Sequence, residues 1–271
     1  MAYENIRIET QDKITTITLN RPEQRNALSP DLHREMDRAL DDLAVDEATR
    51  VVVLTGEGKA FCAGQDLKKF FAETYDDPLK SKHLTAIAMR WGRKLRLFPR
   101  PTIARVNGFC FGAGLRIMGL CDFAIADEAA IFGLSEINFG IIPAGGASKV
   151  PIDLLSHRDA LYLILTGDRI DGKEAERMRL INRAVPADQL NGAVRQLADK
   201  LLQKNPVALT VAKEVFWRDK YMEYDEAVDW ELAKFQEMSK LEKGEWVQQG
   251  VAQFVKGEYK PGFEAYKRKE E

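Results

Sequence analysis

The stretch NGFCFGAGLRIMGLCDFAIADEAAIFGLSEINFGIIPAGG, residues 107–146, decides the fold. It opens on a glycine-rich turn, Gly112-Ala113-Gly114, that runs into a short apolar segment at 115–120. A helix entered from such a turn leaves its first N–H groups without partners and aims the positive end of its dipole forward. The pattern therefore predicts an anion or oxyanion site in front of the turn. Further on, Glu136 sits among Leu134, Ile137 and Phe139, which predicts a carboxylate kept from bulk water. A carboxylate held in that way is a candidate general base.

Upstream, PTIARV feeds the turn as a strand, and RVVVLTG is a continuous apolar run of the kind buried on both faces of a layered sheet. KITTITL alternates as one of a first pair of strands. Ser29-Pro30-Asp31 marks a helix start with a cap, a preset first position and a favourably placed acid, and Leu32, Met36, Leu40 and Leu43 give it one apolar face. A second small-residue loop, CAGQDL, also leads into a helix. The polar segment 73–82, with Pro78 and two adjacent aspartates, is predicted to be a mobile flap, followed by a helix over 84–97. After Gly146 the periodicity is almost purely helical, with cap pairs Ser156/Asp159 and Asp171/Glu174, an Asn205-Pro206 start, and helices over 225–241 and 246–254. The expectation is an α/β layered core over 1–200 and a helical region over 201–271 that covers the site and forms an oligomer.

Composition narrows the function. The 271 residues are 45% hydrophobic and 30% charged, as in an ordinary globular protein. Lys and Arg number 40 against 42 Asp and Glu, for a net charge of -2, so neither a nucleic-acid stripe nor a membrane-surface patch is indicated. The opening MAYENIRIET has no basic region followed by an apolar run, and no apolar segment is long enough to span a bilayer. A cytoplasmic location is expected. Cys62, Cys110 and Cys121 lack metal-type spacing and are predicted to be reduced core thiols, with no metal site.

CAGQDL and FGAGLR each put small residues at a helix entrance, and two such entrances can supply the two converging N–H donors of an oxyanion hole. NRPEQRNAL, AFCAGQDL, PTIARVNGFCFGAG and FGLSEINFGIIPAGG, in that order and spacing, resemble the crotonase (enoyl-CoA hydratase/isomerase) superfamily over nearly the whole chain. Within it the likeness runs to hydroxycinnamoyl-CoA hydratase-lyases. FGLSEIN followed by an aromatic and Gly-Ile, the AGQDLKKFF run and the terminal KPGFEAYKR carry that narrower match.

The resemblance implies a spiral of ββα units closed by C-terminal helices that build a homotrimer or homohexamer. It implies an acyl-CoA thioester as substrate, with coenzyme A present only as part of it and no tightly bound cofactor. The backbone N–H groups of Gln65 and Ala113 would hold the thioester oxygen; alanine replaces the usual glycine at 113, a small change where a backbone group acts. Hydratases of the family use two glutamates, at the positions of Arg116 and Glu136, and this chain keeps only the second. Arginine stays protonated and cannot act as a base. Hydroxycinnamoyl-type enzymes carry a small hydroxyl residue there, so arginine fits neither pattern. Two readings of Arg116 stand: an anchor for Glu136 or for a substrate carboxylate, or a structural residue turned away.

Glu136 would be the general acid/base, the blander alternative being an ion pair with Arg116 or Lys149. Arg25, Ala27, Ala63, Gln65 and Leu67 match positions that line the nucleotide and pantetheine path. Phe70, Phe111 and Phe139 are the candidate acyl-pocket rings, with Phe71, Phe109 and Trp91 near them in sequence. Phenol-recognising relatives have tyrosine where this chain has Phe70. His33, His83 and His157 lie outside the motifs and read as surface or core positions. The expected function is hydration of an α,β-unsaturated, aryl acyl-CoA, with or without retro-aldol release of an aldehyde and acetyl-CoA. The alternatives are a single-glutamate Δ3,Δ2-enoyl-CoA isomerase, or a non-catalytic CoA-thioester or RNA-binding member of the fold.

Overall fold

A computed structural model describes the backbone of residues 3–74, 76–242, 245–260 and 262, and their side chains except at 71–73 and 245–247. Its contacts divide the chain into two units, 1–98 with 102–198, and 99–101 with 199–271.

The first unit begins with an antiparallel pair, β1 (Ile6–Gln11) and β2 (Ile14–Leu19), and helix α1 (Pro30–Val45). Three strand pairs follow: β3 (Val51–Gly56) with β4 (Ala60–Cys62), β5 (Thr102–Val106) with β6 (Phe109–Phe111), and β7 (Phe123–Asp127) with β8 (Ile131–Gly133). The first strand of each pair joins one sheet and the second joins another. Helices α2 (Leu67–Thr74) and α3 (Pro78–Arg96) follow the first pair and α4 (Ala113–Gly119) the second. Helices α5 (Lys149–Leu154) and α6 (His157–Thr166) come after the third. Then β9 (Arg169–Asp171), α7 (Gly172–Arg177), β10 (Arg183–Val185) and α8 (Leu190–Leu202) complete the turn.

Because β3, β5 and β7 are parallel neighbours, and β4, β6 and β8 are parallel neighbours, each ββα unit advances one strand in both sheets. The six-stranded sheet runs β1-β2-β3-β5-β7-β10 and the four-stranded one β4-β6-β8-β9. This is a spiral in which β4, β6 and β8 end side by side, the first two leading into α2 and α4 and the third into the 3-10 turn Ser135–Phe139. The six residues of β3 are all buried, as its unbroken apolar run requires. Buried Leu32, Met36 and Leu40 of α1 join Trp91 and Leu95 of α3, with Val52 and Leu54, in one apolar core.

Caps form where the sequence puts them: Ser29 accepts from Leu32 N–H, Ser156 from Asp159 N–H, Asp171 from Glu174 N–H, and Asn205 from Val207 and Ala208 N–H. The segment 73–82 departs from the expected flap. Asp77 caps a helix that starts at Pro78, its carboxylate accepting from Lys80 N–H, so most of the segment is helix. Lys80 and Lys82 lie exposed on α3, and Asp76 and Asp77 form the turn before it.

The second unit holds α9 (Pro206–Asp219), α10 (Tyr224–Leu241) and α11 (Glu245–Val255). Among its side chains, Phe216, Leu232, Phe235, Val251 and Phe254 are exposed. The KPGFEAYKR motif lies largely outside the described residues. No helix among the described residues is long and apolar enough to cross a membrane.

Candidate active site

The early loop and the loop after β4 run side by side. Ala63 N–H donates to Arg25 O at 2.9 Å, Leu28 N–H to Gly64 O at 2.8 Å and Asp66 N–H to Leu28 O at 3.0 Å. Leu28 and Gln65 thus form a parallel bridge, in which Gln65 turns its own N–H away from Leu28. Four of the five candidate coenzyme residues, Arg25, Ala27, Ala63 and Gln65, are brought together by this pairing, and the fifth, Leu67, opens α2 with its side chain exposed.

A buried ion pair fixes the assembly. The Arg21 guanidinium bonds Asp66 at 2.7 Å, with side chains 6% and 10% exposed, and also donates to Ala27 O. Burial would raise the Asp66 pKa, but the Lys69 N–H and the Arg21 guanidinium outweigh it and hold the carboxyl below its usual value. Asn26, also buried, accepts from Arg21 N–H and donates to Glu57 O and Ala60 O.

The second turn meets the first. At Gly64, with φ +100°, an added Cβ would stand 3.5 Å from Ala113 N and 3.0 Å from Phe111 O. Gly112 caps α4 at φ 51° and ψ −116°, a conformation closed to side chains, and donates its N–H to Gly133 O at 3.0 Å. A Cβ there would lie 2.5 Å from Glu136 Oε1. The packing therefore gathers Gln65, Ala113 and Glu136 around two touching turns. As the first residue of α4, Ala113 has an N–H with no carbonyl partner inside the helix.

Glu136 is held in a single 3-10 turn, Ser135–Phe139, and is half-buried. Burial pushes its pKa up, against a smaller opposing pull from its own backbone N–H. Its Oε2 is buried without a hydrogen-bond partner. The ion pair with Arg116 or Lys149 is not formed: Lys149 bonds Asp153, and Arg116 points elsewhere. The Arg116 guanidinium, in a residue 5% exposed, reaches Ala88 O and Gly145 O at 3.5 Å and Met89 Sδ at 3.6 Å, and lies 5.7 Å from the centre of the Trp91 ring. No carboxylate of the described residues pairs with it. Burial brings its pKa down to about 10, against a smaller opposing pull from Cys62.

The rings divide. Phe111 packs its edge against Gly133 and sits 6.1 Å from Phe109, over which Arg25 stacks at 5.0 Å. Phe70 is half-buried and Trp91 fully buried. Phe139, expected in the pocket, is instead 68% exposed at the outer end of its 3-10 turn. The Phe71 side chain lies outside the described residues.

One site neighbour was not expected. His33 is a core residue of α1, 1% exposed, and its Nε2 meets Gln65 Oε1 at 3.1 Å while Nδ1 meets Trp91 Nε1 at 2.8 Å. The sequence left His33 as a surface or core position, and nothing local marks its contact with Gln65.

Residues 9–265 match the family model described as enoyl-CoA hydratase/isomerase. The chain belongs to that family. It is 42% identical over 269 residues to a hydroxycinnamoyl-CoA hydratase-lyase of Pseudomonas fluorescens, covering 98% of each chain. It is 36% identical over 263 residues to a "Probable enoyl-CoA hydratase" of Rhizobium meliloti, covering 96% of this chain and 99% of that one. The crystal structure of an enoyl-CoA hydratase from Bacillus anthracis superposes with a TM-score of 0.85 at 31% identity, over 94% of this chain and 97% of the other. The α/β spiral is thus the crotonase-like fold, and enoyl-CoA hydratase-type chemistry is the function class of this family member.

Proposed function

We propose that this enzyme adds water to an α,β-unsaturated aryl acyl-CoA thioester and then cleaves the adduct to an aldehyde and acetyl-CoA. The observation that carries the reading is the Glu136 carboxylate seated against the Gly112 turn, one oxygen unpartnered, beside the Gln65 and Ala113 backbone N–H groups. The aryl preference draws support from the 42% identical hydratase-lyase and from the Phe109–Phe111 ring pair beside the turn.

In this reading the two N–H groups hold the thioester oxygen, each contributing about 3 kcal/mol of transition-state stabilisation. Water loses a proton to Glu136 as its oxygen bonds Cβ, and the π pair moves onto the thioester oxygen as an enolate. Glu136 then returns the proton to Cα, so one water is added in all. For cleavage, Glu136 takes the β-hydroxyl proton, the oxygen pair forms the aldehyde C=O, and the Cα–Cβ pair passes to the same enolate. Protonation of that carbon by Glu136 gives acetyl-CoA. The raised Glu136 pKa suits a group that must both accept and return a proton near neutrality.

Arg25, Ala27, Ala63, Gln65 and Leu67 bind the coenzyme in this account, Arg25 taking a phosphate. Phe70 and Phe111 line the acyl site, Phe139 at its rim. Arg116 braces α3 against the 143–147 loop and takes no part in proton transfer. The helices of residues 201–271 form a homotrimer or homohexamer, for which the exposed apolar side chains of α9, α10 and α11 offer a surface.

A second reading, Δ3,Δ2-enoyl-CoA isomerase, is favoured by the single carboxylate. Cinnamoyl-, 4-hydroxycinnamoyl-, crotonyl- and 3-enoyl-CoA, offered separately, divide the two. Loss of the conjugated absorbance of an aryl thioester with aldehyde formation supports the first reading. Inert aryl thioesters with isomerisation of the 3-enoyl compound would replace it by the second.

A further inference from the structure

Among the described residues of the first unit, two buried side-chain polar atoms have no hydrogen-bond partner: Gln65 Nε2 and Glu136 Oε2. One is a donor and the other, when ionised, an acceptor. Both belong to residues flanking the touching turns at Gly64 and Gly112. A buried orphan of either kind costs about 1–3 kcal/mol, and native folds keep one only where something else completes it.

The Gln65 amide is not free to choose which atom it presents. The Trp91 indole nitrogen can only donate, so His33 Nδ1, 2.8 Å away, must accept. In the neutral ring the proton then resides on Nε2, which donates to Gln65 Oε1 at 3.1 Å. His33 is neutral in the fold because burial brings its pKa down to about 4. With Oε1 engaged, the carboxamide can offer only its NH2 group to the site. The chain Trp91→His33→Gln65 therefore converts an ambivalent amide into a fixed donor.

We propose that the Gln65 side-chain amide holds the oxygen that adds to Cβ, donating to it while Glu136 Oε2 takes its proton, with His33 and Trp91 as positioning residues. A water placed so satisfies both orphaned atoms at once, one as donor and one as acceptor. Arg116 does not compete for that oxygen, since its guanidinium is committed to Ala88, Met89 and Gly145. Gln65 thus acts twice, by its backbone N–H on the thioester oxygen and by its side chain on the β-oxygen. This inference rests on the hydration reading above.

The test compares the full-length protein with Gln65→Met, which keeps length and backbone N–H but removes the amide. Two rates are read: hydration of the best unsaturated thioester from the substrate panel, and deuterium wash-in at Cα of its saturated analogue in D2O. The second reaction needs the oxyanion donors and Glu136 but has no β-oxygen. The proposal expects kcat for hydration to fall about 10- to 100-fold further than wash-in does, any loss shared by the two reactions reporting the oxyanion loop and the excess reporting the amide. Trp91→Phe, which releases the His33 tautomer, should lower kcat for hydration by a smaller factor and also spare wash-in. Gln65→Glu should move the acid limb of the hydration profile to higher pH, since a second carboxylate beside Glu136 opposes its ionisation.

Unchanged hydration by Gln65→Met overturns the proposal, and so does a parallel loss of wash-in, which would place the effect in the loop backbone. If the parent enzyme hydrates no thioester on the panel, the hydration reading itself fails and this inference falls with it. Hydration by the parent with an indifferent Gln65→Met removes only the inference.

Discussion

Gly112 and Glu136 are in contact through the space that a side chain at 112 would fill: an added Cβ would stand 2.5 Å from Glu136 Oε1. The glycine turn and the carboxylate are therefore one feature. Gly112→Ala should cost about 1–3 kcal/mol in backbone strain at its φ of 51° and also displace the carboxylate. We expect turnover to fall by far more than thermal stability, since a shift of about 1 Å in a reacting group costs on the order of 100-fold. Parallel melting curves and rate measurements check this; full activity in the variant would show that the carboxylate need not sit there.

The burial that raises the Glu136 pKa sets two pH effects. The acid limb of kcat/KM should lie above the ordinary glutamate value of 4.5. Stability moves the other way. The folded state binds this proton more tightly than the unfolded state, so the ionised carboxylate is a cost at neutral pH that is relieved as pH falls through the folded pKa. Glu136→Gln should accordingly melt higher than the parent at pH 7, with the difference shrinking in acid.

His33 titrates in the opposite sense. Its folded pKa of about 4 lies below the ordinary 6.5, so it favours folding above pH 6.5, and that contribution is lost as pH falls from 6.5 through 4. NMR of the imidazole should show no titration between pH 5 and 8. A midpoint near 6.5 would mean that the Trp91 to Gln65 relay is not formed in solution.

Arg116 bears a buried charge whose neighbours are carbonyls, a thioether and a ring, with no carboxylate among the described residues. Arg116→Met fills similar volume without the charge and should raise stability by about 1–3 kcal/mol, as replacing buried ionic groups by apolar ones often does. Urea unfolding at pH 7 measures it. A large loss of stability would show that the three long contacts outweigh desolvation.

Asp66→Asn removes the partner of Arg21 and leaves that cation buried, for a loss of about 3 kcal/mol. Because the pair ties the early loop to the Gln65 turn, the affinity for free coenzyme A should fall as well. Calorimetry on the folded variant separates the two effects; unchanged affinity would detach the early loop from coenzyme binding.

Much of this was legible in the sequence because it is written locally. Ser29, Ser156, Asp171 and Asn205 cap helices as their types and spacings require, and the two glycine turns follow strands of unbroken apolar character. Asp77-Pro78 carries the same kind of signal but sits among charged residues, which hid a helix start inside an expected flap. Tertiary direction was not legible. Whether Arg116 faced Glu136 depended on how α4 packs on α3, and the meeting of His33, Gln65 and Trp91 joins three segments far apart in the chain. Phe139 read as pocket lining from its motif, yet its short 3-10 turn leaves the ring exposed.

The central claim is that Glu136 moves the proton while backbone groups hold the thioester. Glu136→Gln keeps the shape of the side chain and removes its basicity, so the direct measurement is its single-turnover rate on an unsaturated aryl-CoA beside its Kd for the same thioester. The account predicts a rate lowered by at least about 1,000-fold with Kd within about threefold. A variant that still turns over near the parent rate would remove Glu136 from the mechanism and contradict the account.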